Sequence, residues 1–153
     1  MHTLNDLPKA PLWRKLAALV YDALILAALS MAYGGLTLTL KVRLLGYALE
    51  DGEKANLGLG GFIGWVLVMA AFYWFFWQRG GQTIGMRAWR LRLVSREMTK
   101  PSLIACLIRS LVAPVSLFAL GLGYWWQLLD KQQLTLHDRL SNTQILLLPK
   151  AKK

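Results

Sequence analysis

Leu57 to Trp77 is a run of 21 residues without a formal charge. At 1.5 Å per residue it is about 30 Å long as a helix, the thickness of a bilayer's hydrocarbon core. A chain with such a run folds around a membrane span or buries it in a large core, and 153 residues leave little room for the second. Composition agrees: 56% of the residues are hydrophobic and 17% are charged.

A second apolar run, Leu16 to Leu40, holds one charged residue, Asp22. It follows Trp13, Arg14 and Lys15, an aromatic ring beside two side chains that can snorkel to headgroup depth. A signal peptide cleaved near Ser30-Met31-Ala32 is the rival reading, and an acid inside the apolar stretch argues against it. A buried carboxylate costs roughly 2.5–3.5 kcal/mol on insertion scales, so a partner is expected elsewhere in the chain. Counted from Trp13, Asp22 lies about 13–14 Å deep, near the middle of the hydrocarbon. Counted from Ser102, Arg109 lies roughly 10 Å deep in the last apolar region, which makes it the expected counter-charge. Arg14 is roughly 12 Å from Asp22 along the helix and is expected to meet the polar surface instead.

The net charge of +10 is unevenly spread. Residues 78–101 carry six Lys/Arg against Glu97, and residues 130–153 carry five against two Asp. Basic segments beside apolar spans mark cytoplasmic loops facing anionic headgroups, and this distribution disfavours nucleic acid as the partner. The single Cys106 excludes a disulfide framework, and no zinc, nucleotide or metalloprotease motif occurs. No cofactor and no enzymatic activity are expected.

The expected order is helix 1 over about 13–40, a polar loop over 41–56, helix 2 over 57–77, a basic interfacial segment over 78–101, a helical region over 102–129 and a polar tail over 130–153. Thr83 can cap a short surface helix. Leu91-Arg92-Leu93-Val94 alternates like a strand, and Thr143 to Leu148 is β-favouring, so the two are expected to pair outside the bilayer. Residues 102–129 are about ten short of two full spans; a helix that enters, breaks near Gly121-Leu122-Gly123 and returns reconciles their length with that pairing. Gly60 and Gly64 stand at GxxxG spacing, which suits either a homo-oligomer contact or close packing within one subunit.

Arg87, His137, Asp138 and Arg139 form the expected cytoplasmic polar cluster. His137 beside Asp138 invites an acid–base reading, but adjacent side chains rarely aim at one substrate atom, and a capping role for Thr135 or Asp138 is favoured.

Three motifs in order resemble the RDD family of small bacterial membrane proteins. They are Arg14, Ala17 and Asp22 in the first helix, Gly81-Gln82-Thr83-Ile84-Gly85-Met86-Arg87, and Leu136-His137-Asp138-Arg139-Leu140-Ser141-Asn142-Thr143. Asn142 stands where the family has glycine, and asparagine tolerates the left-handed turn. The resemblance implies one all-α domain over 1–153, a small multi-pass inner-membrane bundle of about three transmembrane helices. From the residues, a last helix open to a break, a short extended cytoplasmic pair and a cytoplasmic amino terminus are expected to complete the fold. Transport of a small solute or cation, coupled to protons at Asp22, is the first functional expectation. A scaffold that binds a partner protein or anionic lipid is the second.

Overall fold

The computed structural model describes residues 4–46 and 56–150. The balanced-charge loop expected between the first two helices lies mostly outside the described residues. Two long helices carry the membrane character: α1 (Leu12–Leu45) and α2 (Gly58–Gly80). Helix α1 outlasts its expected end because Lys41 and Arg43 lie near its terminus, where cations suit the helix dipole. It stops at Gly46, whose φ of 63° is left-handed. Helix α2 stops the same way at Gly81, φ 67°, whose N–H reaches the Trp77 carbonyl at 3.0 Å.

The two helices are antiparallel. Trp65 Nε1 donates to Ser30 Oγ at 2.9 Å, and Tyr33 Oη donates to the Gly61 carbonyl at 2.8 Å. A Cβ on Gly64 would overlap the Tyr33 hydroxyl, whereas one on Gly60 would meet open space. The glycine pair thus serves contact within the chain at Gly64 only. Continuing this register brings Asp22 level with Phe72 and Tyr73, at the aromatic end of α2. From Asp22 to Leu45 α1 runs about 35 Å, a full crossing by itself. The first turns of α1, from Lys15 to Asp22, are the part of the helix that packs on α3 and the segments beyond it.

Beyond α2 follow α3 (Ile84–Ala88), β1 (Leu91–Ser95), α4 (Leu103–Phe118), α5 (Leu122–Leu129), α6 (Leu136–Leu140) and β2 (Thr143–Leu147). The strands pair antiparallel, as their residues suggested, with Leu93 opposite Ile145. Residues just before α1 add to the free side of β2: Ala10 N–H donates to the Ile145 carbonyl and Leu147 N–H to the Pro8 carbonyl, both at 2.9 Å. Leu91, Leu93, Ile145 and Ala10 are buried together with Ala18, Trp77, Met86 and Cys106 in one core.

Helices α4 and α5 meet at a 94° bend. Together they are long and apolar enough to count as a third candidate membrane segment, broken at this bend. Because β1 precedes α4, β2 follows α5, and the two strands are paired, this segment leaves and rejoins the sheet on one side. Its outer surface is apolar, with Leu107, Leu111 and Val115 exposed along α4. The opposite face of α4 buries Cys106, Arg109 and Ser116 at helical spacing. An apolar outside over a polar inside is what a lipid-facing helix requires when it covers a charged cluster.

Candidate functional site

Lys15, Ala18 and Asp22 stand at i, i+3 and i+7, one stripe of α1. All three are buried, while Trp13 and Tyr21 on the other faces are exposed. Each charged end of the stripe engages a different short helix.

At the outer end, Lys15 Nζ lies 2.8 Å from Asp138 Oδ2. The other oxygen, Oδ1, receives Arg109 Nη1 from α4 at 2.5 Å. Arg109 Nη1 also donates to Thr143 Oγ1 at 2.9 Å, and its guanidinium lies over the Trp77 ring at 5.6 Å. Asp138 closes a capping box on α6: Thr135 N–H donates to Oδ2 at 3.1 Å, and Asp138 N–H donates to Thr135 Oγ1 at 3.3 Å. Burial alone would push the Asp138 carboxyl up, but the charges of Arg109 and Lys15 outweigh it and hold the group well below the usual carboxylate range.

At the inner end, Asp22 is met by α3. Thr83 Oγ1 donates to Oδ2 at 2.5 Å and Gly85 N–H donates to Oδ1 at 2.8 Å. Gly85 has no room for a side chain: a Cβ there would overlap the Ala18 carbonyl and approach the Asp22 carboxylate at 2.9 Å. Only glycine lets α3 close on α1 this tightly.

The expected Asp22–Arg109 pair is therefore replaced by two separate arrangements. Helix α3 fills the space beside Asp22 with its own donors, and α6 brings Asp138 to Arg109. Arg14 turns away, over the Trp13 ring at 4.8 Å. Of the expected cytoplasmic cluster, His137 and Asp138 are buried, while Arg87 and Arg139 are exposed. Arg139 pairs with Asp130 at 2.5 Å. Lys15, Thr83, Gly85 and Thr143 were not singled out as members. The seven-residue spacing of Lys15 and Asp22 is the signal that separates Lys15 from its neighbour Arg14.

Among the described residues, the buried charged side chains are Lys15, Arg109, Asp22 and Asp138, two of each sign. His137 is buried against Tyr124, ring centroids 4.6 Å apart, and its Nδ1 has no protein partner. Burial first, then the nearby Arg109 and Lys15 charges, lower its pKa from 6.5 to about 3, against the opposite pull of Asp138. A folded-state pKa below the unfolded one stabilises the fold above pH 6.5 and loses that contribution as pH falls toward 3. Thermal unfolding in detergent should show about 2 kcal/mol lost between pH 7 and 5 on this account. His137→Gln should flatten that part of the profile.

Two long apolar helices, a bent apolar helix pair and a buried ion-pair cluster define a small polytopic helical membrane protein. The model of the RDD family matches residues 9–142, and the chain belongs to that family. Neither the curated proteins nor the solved structures contain a match to it.

Proposed function

We propose that this RDD protein is a multi-pass anchor of the bacterial inner membrane, amino terminus cytoplasmic, that holds a compact polar unit against the membrane face and binds anionic lipid there. The observation that carries this reading is the allocation of charge. Both oxygens of Asp22 and of Asp138 are occupied by donors from the same chain. Arg87 and Arg92, by contrast, are exposed and have no acidic partner among the described residues. Buried charges so committed hold helices together, and outward guanidinium groups beside membrane helices attract anionic headgroups. In zwitterionic detergent, added phosphatidylglycerol should raise the thermal midpoint more than added phosphatidylcholine. Equal responses to the two lipids would remove the reading.

One observation favours a second reading, proton-coupled movement of a cation or small solute. Asp22 is buried, yet its hydrogen-bond donors, a hydroxyl and a backbone amide, are neutral. A pathway in so small a bundle requires several copies of the chain. Proteoliposomes would then show flux driven by a pH gradient, abolished by Asp22→Asn in a variant that still folds.

A further inference from the structure

Residues 81–96 and 133–148 are two copies of one structural unit, offset throughout by 52 positions without a gap. Each begins at a left-handed residue, Gly81 (φ 67°) or Gln133 (φ 52°). A threonine then caps a five-residue helix: Thr83 Oγ1 accepts from Met86 N–H at 3.2 Å, and Thr135 Oγ1 from Asp138 N–H at 3.3 Å. A second left-handed residue ends the helix, Arg90 (φ 57°) or Asn142 (φ 52°), and a five-residue strand follows. The strands pair about a local two-fold axis, since Leu93 faces Ile145, its own counterpart. The flanking bonds obey the same symmetry: Leu148 N–H donates to the Arg90 carbonyl at 2.8 Å and Arg96 N–H to the Asn142 carbonyl at 3.2 Å.

The repeat makes Arg87 and Arg139 equivalent, each exposed on its short helix. Their partners are not equivalent. Arg139 is paired with Asp130. The counterpart of Asp130 is Gln78, which is uncharged and donates its amide to the Pro101 carbonyl at 3.1 Å and Cys106 Sγ at 3.3 Å. The Arg87 side chain has no hydrogen bond or ion pair among the described residues. One unit thus has its anion built in, and the other lacks it.

The surroundings of Arg87 identify what completes it. Two residues on, Trp89 packs edge-on against Trp13 and Tyr21, at 5.4 and 6.1 Å between centroids. Trp13 and Tyr21 are 55% and 49% exposed, amphipathic rings suited to headgroup depth. Exposed on α3 two positions before Trp89, the Arg87 guanidinium can hold a phosphate through two parallel N–H donors. Resting on the lipid-binding reading above, we infer that Arg87 binds the phosphate of an anionic phospholipid headgroup, in the position that Asp130 occupies beside Arg139.

The test is a titration of the full chain, in zwitterionic detergent micelles, with phosphatidylglycerol. Arg87→Gln should weaken the apparent affinity roughly five-fold, the effect of one basic side chain at an anionic surface. Arg139→Gln should leave it unchanged, because that guanidinium is already paired. Equal losses in both variants, or no loss in Arg87→Gln while the wild type still prefers anionic lipid, overturn the inference and leave the broader reading standing. A wild type without that preference overturns both. Inorganic phosphate displacing the lipid at millimolar concentration would assign the site to free phosphate instead, and so also overturns the lipid assignment.

Discussion

Asp138→Ala should destabilise the protein by about 3–5 kcal/mol, the usual consequence of removing one member of a buried ion cluster. The substitution leaves Lys15 and Arg109, both buried, without their shared carboxylate. It also opens the capping box of α6, adding about 1 kcal/mol on ordinary cap energetics. Thermal or denaturant unfolding in detergent would measure the loss. Removing the cations as well, in Lys15→Met with Arg109→Met and Asp138→Ala, should recover a large part of it, since apolar replacements of a whole buried cluster are often close to neutral. If the single variant were nearly neutral, the cluster would be far wetter than its burial indicates.

Gly85→Ala should be the second most damaging change, by about 1–3 kcal/mol on the scale of overpacked interiors. The added methyl would overlap the Ala18 backbone carbonyl, which cannot rotate away, so α3 must separate from α1 and lengthen both hydrogen bonds to Asp22. Gly60→Ala is the matched control. It adds the same methyl inside a helix where nothing lies within 4 Å, and should be neutral or slightly stabilising through helix propensity. Unfolding midpoints of the two variants, measured side by side, separate close packing from any general intolerance of glycine replacement.

The membrane helices were legible because an uncharged run of 21 residues admits few alternatives. The strand pair was legible for a related reason: β-favouring segments flanked a region too short to cross twice. The polar centre was less so. Depth counted along a helix says nothing of what packs beside it, and the first turns of α1 are packed on α3. Asp22 and Arg109 looked close in depth, yet a five-residue helix lies against Asp22 and takes its oxygens. Local composition cannot reveal such an insertion. Arg14 and Lys15 are adjacent and chemically alike, so an interface argument treats them together; only their angular position on α1 sends one outward and the other to Asp138. The repeated unit was hidden because its copies share turn geometry and a few positions, chiefly Thr83 with Thr135 and Arg87 with Arg139, more than they share sequence.

The stripe on α1 also bears on synthesis. Lys15 and Asp138 are 123 positions apart, and Asp22 waits 63 positions for the Gly85 amide. The first helix thus enters the membrane long before its ionic partners exist, and domains are assembled as the chain emerges. A chain interrupted before Asp138 would keep the Lys15 ammonium and the Arg109 guanidinium without their carboxylate, a defect open to proteolysis. The arrival of Asp138, not the insertion of the earlier spans, is what makes the buried cluster electrically complete.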